Sequence, residues 1–415
     1  MLHGSSHPEN APRMIRSWSE EVGCAKCFLE KDGSMVRSGL DCTAWKGLSM
    51  RILCINPGSS SLKATLLQEE RILSDHEIDL DDSVEKVREG LASLSLWSHE
   101  SPPDAIGVRV VHGGRLFRES VRVTGETLES LGAIADLAPL HVPVAIRVLS
   151  ALLGMGHSLP VVAAFDTAFH STLPETARRY AIPDRWVQRG VEKYGFHGLS
   201  YDDIVHRLPS LSGFPLPRRL VAVHWGNGAS VCAIRDGRSV ETSMGLTPLA
   251  GLIMGTRPGS LDPGILPFLL HGGDSLPRLE AEMTHESGLF ALSGGISDFR
   301  EIVRRKGEGD PRAELAFEKA VTSVAQTIGS FAAVLEGVDA LVFTGGIGEH
   351  SWEARSSVMK KIGFLGVSEE ALSNRFASGD RKISTPSSTV AAWCLHARED
   401  RTIARETIRV VEGKS

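Results

Sequence analysis

Three short loops of this chain are made from residues that hold anions. Asn56-Pro-Gly-Ser-Ser-Ser61 separates the apolar run Arg51-Ile-Leu-Cys-Ile55 from Leu62-Lys63-Ala-Thr-Leu-Leu67. Much later, His224-Trp225-Gly226-Asn227-Gly228-Ala-Ser230 separates Leu220–Val223 from Val231–Ile234, and an Asp236-Gly237 turn follows. A hairpin turn rich in Gly, Ser and Asn presents backbone N–H groups and small hydroxyls to an anion. Either copy alone is an ordinary hairpin turn. Two copies in one chain point to an internal duplication with a phosphate held between the halves. The third loop, Gly345-Gly346-Ile347-Gly348-Glu349, follows the strand-like Ala340–Thr344 and opens a helical segment. A strand running into a glycine turn at a helix start recurs at nucleotide sites.

Charged residues stand beside these loops. Arg109, in Arg-Val-Val-His-Gly-Gly, and Arg257, in Gly-Thr-Arg, carry a fixed charge on a planar fork that suits carboxylate and phosphoryl oxygens. Taken singly, each is an ordinary surface ion-pair partner. His197, between Phe196 and Gly198, lies in a turn that could aim its ring into a cleft, although a lone histidine is usually just a satisfied polar residue. Asp166 ends the run Val161–Phe165, at the carboxyl end of a strand, where ligands of α/β sheets gather.

The elements that must position them follow from length and pattern. At 415 residues the chain holds two or three domains, and 42% hydrophobic with 23% charged residues supplies a large core. Lys and Arg number 45 against 51 Asp and Glu, a net charge of −6, which sets nucleic-acid binding aside. The longest uncharged run, Val148–Phe165, is broken by Gly154, Gly156 and Pro160, so no membrane span is expected. Six cysteines and no secretory signal pattern favour the cytoplasm. Residues 1–49 contain Cys24, Cys27 and Cys42 without a helical or strand period. They are expected to form a poorly ordered extension, with zinc or redox use of Cys24 and Cys27 the lesser alternative. Two hairpins followed by strand–glycine–helix is the order of a duplicated actin-like, ribonuclease H-like ATPase. The expected fold is therefore α/β, with two lobes and a nucleotide cleft between them. One lobe is expected over 50–167 with 400–415, the other over 168–399.

Eight segments in order sharpen the reading. Asn56-Pro-Gly-Ser-Ser-Ser-Leu-Lys63, Arg109-Val-Val-His-Gly-Gly114, Ala138-Pro-Leu-His141, Phe165-Asp-Thr-Ala-Phe-His170, Tyr194-Gly-Phe-His-Gly198, Met244-Gly-Leu-Thr-Pro-Leu249, Met254-Gly-Thr-Arg257 and Phe343-Thr-Gly-Gly-Ile-Gly-Glu349 closely resemble the acetate kinase family, from Arg51 almost to the C-terminus. That resemblance implies reversible transfer of the ATP γ-phosphoryl group to a small carboxylate, giving an acyl phosphate and ADP. It also implies the acetate and sugar kinase/Hsc70/actin fold, a homodimer, and Mg2+ with Mn2+ as a possible substitute. By resemblance, Arg109 contacts the carboxylate, Arg257 and His197 act on the transferring phosphoryl, and Asp166 is a proton donor or acceptor. Because a small carboxylate is already ionised at neutral pH and needs no base, orienting an arginine or organising the metal is the physically cheaper role for Asp166. Val111, Leu140, Phe196 and Pro248 line the acyl end. Lys63, His224 to Gly228, Asp298-Phe299-Arg300, and Gly346 to Glu349 with His350 hold the nucleotide. Asn56 and Glu399 attend the metal. Without the family, Asp298 to Arg300 reads equally as a helix cap with an ion pair.

The chain departs from the family pattern at several positions. Tyr201 stands for a second histidine, Ala250 for a glutamate, Pro258-Gly-Ser260 for a Ser-Gly-Asp run and Arg398 for an asparagine, with Val142, Trp225 and His350 also changed. A propionate or other short-chain carboxylate kinase is the nearest rival reading. A nucleotide-binding protein without turnover is the next, and an actin-like polymer or chaperone ATPase the most distant.

Overall fold

The structure is a computed structural model that describes residues 50–58, 61–79, 83–93, 102–139, 141–156, 158–377 and 379–414. The segment 1–49, with Cys24, Cys27 and Cys42, and the acyl-wall residue Leu140 lie outside the described residues.

Two six-stranded sheets repeat one plan. In the first, β1 (Arg51–Pro57), β2 (Ser61–Gln68) and β3 (Arg71–Asp79) form an antiparallel meander, and β4 (Ala105–Val110) and β6 (Val161–Phe165) add in parallel beside β1. The short β5 (Val121–Arg122) closes the far edge, for an order β3-β2-β1-β4-β6-β5. In the second, β7 (Arg219–Trp225), β8 (Ala229–Arg235) and β9 (Arg238–Thr242) make the meander. There β10 (Ala340–Thr344) and β12 (Ala391–Cys394) add in parallel beside β7, and β11 (Arg381–Lys382) closes the edge. Both expected hairpins are present, and they occupy the same place in the two sheets.

Strand alternation explains why the sheets are covered on both faces. Along β1, Leu53 and Ile55 enter one buried cluster and Ile52 and Cys54 the opposite one. Along β7, Val221, Val223 and Trp225 face one cluster while Leu220 and Ala222 face another. Helices supply the covers. Val142–Gly154, with Pro143 in its first turn, packs on the Leu53 face, and Pro311–Leu335 on the Val221 face. Gly198–Ser212 covers the Leu220 face through Tyr201, Ile204, Val205 and Leu208. The C-terminal helix Glu399–Val411 returns to the first sheet, where Ile403, Ala404 and Ile408 pack against Ile52, Cys54 and Ala105. Gly107 on β4 permits that approach, because an added Cβ would stand 2.3 Å from Thr407 Oγ1 and 2.5 Å from Ile403. Among the described residues no helix is long and apolar enough to cross a membrane.

Candidate active site

Strand ends from both sheets converge on one polar cleft. Arg109 projects from β4, and its Nε and Nη2 donate to the two Asp166 oxygens at 2.9 and 2.6 Å. Its Nη1 donates to Asn56 Oδ1 at 3.0 Å and lies 3.5 Å from Glu399 Oε2. Asn56, from the end of β1, also reaches Glu399 through Nδ2 at 3.4 Å. Asp166 is nearly inaccessible at 1% exposure, and burial raises its carboxyl above the ordinary value against the pull of Arg109. Burial opposes ionisation of Glu399 too, but Arg109, His224 and Asn56 outweigh it and hold that carboxyl below its ordinary value. The Arg109 fork is thus occupied by Asp166, and what it offers the cleft is its Nη1 side, beside Asn56 and Glu399.

Arg257 stands in the opposite condition. It is half-buried, its Nη1 donates to the Pro248 carbonyl at 3.3 Å, and it forms no ion pair among the described residues. Burial alone lowers its pKa, and a guanidinium remains charged regardless. Its loop is fixed by backbone bonds: Met254 N–H to Arg257 O, Leu289 N–H to Met254 O, Ser287 N–H to Thr256 O, and Gly255 N–H to Asn227 O. Gly288, at φ +62°, is required here, because a Cβ would meet Met254 O at 2.2 Å and Arg257 O at 2.5 Å. The departing segment Pro258-Gly-Ser260 folds back, with Ser260 N–H donating to Gly251 O.

His197 caps the helix Gly198–Ser212 in the left-handed conformation, φ 59°, a strained state for a non-glycine residue. Gly198 N–H bonds Asp166 O at 2.9 Å, and a Cβ on Gly198 would stand 2.1 Å from that oxygen. The two motifs therefore lock together at backbone level. The His197 ring stacks on His224 with centroids 4.1 Å apart. A Cβ on Gly228 would stand 3.5 Å from His197 Nε2 and 3.8 Å from Arg257 Nη1, so the second glycine hairpin, the imidazole and the free cation surround one point. Burial, His224, Arg109 and Arg257 together keep His197 well below its ordinary pKa, hence neutral.

The remaining expected residues divide. Phe196 is buried in the second core, and Val111, from the first sheet's loop, packs against that same core. Pro248 reaches the cleft through its carbonyl. Lys63 is exposed on β2, paired across the ladder with Asn56. In the β7–β8 turn, Asn227 is exposed and Gly226 and Gly228 are half-buried, Gly226 beside the Gly346 backbone. Trp225, by contrast, turns its side chain into the core against Phe299 at 5.8 Å and is 1% exposed, so it offers a ligand backbone only. Phe299 is likewise buried. Asp298 caps the helix Phe299–Gly307, accepting from Arg300 N–H at 2.9 Å and pairing with the exposed Arg300 side chain. Gly346 and His350 are exposed on the six-residue helix Gly345–His350, with Ile347 and Gly348 turned inward. Glu349 accepts from Gly345 N–H and Ala397 N–H and pairs with His396, so its carboxylate braces the loop.

Several residues of the site escape the sequence. His141 is pushed down to about 4 by burial, with the charges of Arg257 and Arg109 adding to the effect. His112 accepts from Gly114 N–H at Nδ1 and contacts Leu246 O through Nε2 at 3.4 Å, edge-on to Tyr194 and Phe196. Arg355, 1% exposed, donates to the Gly348 and Glu349 carbonyls and to Asn374, and so anchors the end of the glycine helix. The His112 and His141 motifs carried a signal; Arg355 carried none.

A duplicated two-lobed α/β fold with an unpaired cation, a neutral imidazole and a glycine hairpin around one point defines a phosphotransferase of the actin-like class. The chain belongs to the acetokinase family, whose model matches residues 73–405, and is a kinase that transfers phosphate to a carboxylate. The acetate kinase of Bacillus subtilis is 38% identical over 393 residues, covering 87% of this chain and 100% of that one. Among solved structures, the acetate kinase of Porphyromonas gingivalis superposes with a TM-score of 0.80 at 32% identity, over 87% of this chain and all of that one. A propionate kinase from Francisella tularensis gives 0.79 at 33%, over 86% and 99%.

Proposed function

We propose that this cleft transfers the γ-phosphoryl group of ATP to acetate, reversibly, giving acetyl phosphate and ADP. The observation that carries the reading is Arg257, a half-buried cation without a carboxylate partner among the described residues, beside His197 and Gly228. Two anions must meet in this reaction, and fixed charges offset their repulsion better than water does. Acetate is ionised at neutral pH, so its oxygen attacks phosphorus without a base. That leaves Asp166 free to orient Arg109, whose Nη1 side takes the carboxylate. Val111, Phe196 and Pro248 back the methyl group.

Glu399 and Asn56 supply the hard oxygen donors suited to Mg2+ or Mn2+, and Glu399 is held ionised in the cleft. Among the described residues no three His, Cys, Asp or Glu side chains form a cage, which fits an ion that keeps waters and phosphate oxygens as its other ligands. Such an ion would neutralise phosphate charge. The lobes we assign to 50–167 with 400–415 and to 168–399 would close to exclude water. Exposed Leu261, Ile265 and Phe268, the last 76% exposed, support a homodimer. A cytoplasmic location suits an enzyme that uses ATP.

Hydroxylamine trapping tests the reading: MgATP with acetate should give acetohydroxamate faster than propionate or butyrate gives its counterpart. Hydroxamate formed fastest from propionate selects the propionate kinase reading, and none from any of the three acids removes the reaction.

A further inference from the structure

The helix Gly198–Ser212 carries more than a packing face. Its first turn presents Tyr201, a ring with 0% exposure whose hydroxyl meets Ser230 Oγ. Ser230, also fully buried, stands at the start of β8 across the hairpin from His224, and its Oγ lies 2.9 Å from His197 Nδ1. His197 and Tyr201 are four residues apart at a helix start, the spacing that puts two side chains on one face.

Three polar hydrogens must be placed in this buried chain, and the choices are few. Suppose the imidazole gave an Nδ1 proton to Ser230. The serine proton would then pass to Tyr201, and the tyrosine proton would have no acceptor, since among the described residues Ser230 Oγ is the one acceptor within hydrogen-bond distance of its oxygen. Suppose instead that Tyr201 and His197 both donated to Ser230. The serine proton would then be stranded in the core. With Tyr201 donating to Ser230 and Ser230 donating to His197 Nδ1, both buried hydroxyls are satisfied, as buried groups almost always are, and the imidazole proton is left on Nε2, toward the cleft.

We propose that Tyr201 is a positioning residue, acting through Ser230 to hold the His197 imidazole proton on Nε2, the nitrogen that faces Gly228 and Arg257. The proposal rests on the reading that His197 acts on the transferring phosphoryl group. A neutral imidazole turned the other way would aim a lone pair at the phosphoryl oxygens and repel them. Held this way, it donates a hydrogen bond to them without requiring a charge. Tyr201 occupies the place of a histidine in the family pattern, so this chain fixes the ring by a means of its own.

Nitrogen NMR on the full-length protein labelled at histidine reads the proton directly. In the native protein, Nδ1 of His197 should resonate as an unprotonated nitrogen and Nε2 as a protonated one. Tyr201→Phe keeps the ring and removes the donor. It should shift both resonances toward a tautomer mixture and lower kcat about tenfold, with the KM values for ATP and the carboxylate within about twofold. Ser230→Ala cuts the same chain at its middle and should do likewise if Tyr201→Phe fails to fold. An Nδ1-protonated native ring, or resonances unmoved in both variants, overturns the relay. Moved resonances with unchanged kcat leave the relay standing and instead remove His197 from the reaction.

Discussion

Arg109 and Arg257 carry the same charge in opposite surroundings, and they should fail differently. The Arg109 fork holds Asp166, which is 1% exposed. Arg109→Ala would strand that carboxyl in the core, and removing one partner of a buried pair costs about 3–5 kcal/mol. A raised acetate KM and a clearly lowered Tm are expected together. Arg257 pairs with no carboxylate among the described residues, and its truncation relieves an uncompensated charge. Arg257→Ala should keep or slightly raise Tm while cutting kcat by about two or more orders of magnitude, as expected for a cation that acts on the transition state. Steady-state kinetics and thermal melts on both variants check the division. Equal Tm losses in the two would show that Arg257 has a structural partner after all.

The elements were legible where their signal is local. The apolar runs around Asn56–Ser61 and His224–Ser230 are the hairpins β1–β2 and β7–β8, and Ala340–Thr344 is β10 running into a glycine helix. Strands and glycine turns write themselves in a few adjacent residues. What the sequence hid depends on register between distant segments. Nothing near Tyr201 shows that Ser230 will lie against it, and nothing near Arg355 shows that it will anchor Glu349. Trp225 sits inside a legible motif, yet whether its ring joins the cleft or the core is decided by Phe299, across the fold. Gly107 is another such case, an unremarked strand residue on which the C-terminal helix rests. Gly107→Ala would push that helix off β4, and overpacking of this kind typically costs about 1–3 kcal/mol. Because Glu399, the metal ligand proposed above, opens the helix, the variant should also raise the divalent-metal concentration needed in kinetic titrations. A variant with native Tm and native metal dependence would mean that the helix does not need this close seat.

Across the whole molecule, buried neutral histidines set the response to acid. Burial pushes His112, His141 and His170 down to about 4, with Arg257 and Arg109 adding to the effect at His141. In the unfolded chain they titrate near 6.5, so below that pH the unfolded state takes up protons that the folded state refuses. Their penalty is absent above about pH 6.5 and grows as pH falls toward 4, by about 1.4 kcal/mol per pH unit for each histidine. His197 adds to the same side. Asp203 works against them. Burial raises it to about 7 despite Arg207 at 2.8 Å, so the folded chain keeps a proton there that the unfolded chain releases, and this term gains strength as pH falls from 7 toward 4. Burial raises Asp166 and Asp400 as well and lowers His224, so five histidines outweigh three aspartates. Tm should therefore be level at and above neutral pH and decline steadily from about pH 6.5 to 4.5. Asp203→Asn removes one opposing group while keeping its shape, and it should make the acid decline steeper, by about one proton's worth of slope. Melts of the native protein and this variant across the same buffers decide the matter: a native Tm that holds level or rises on acidification would mean that these histidines are protonated in the fold.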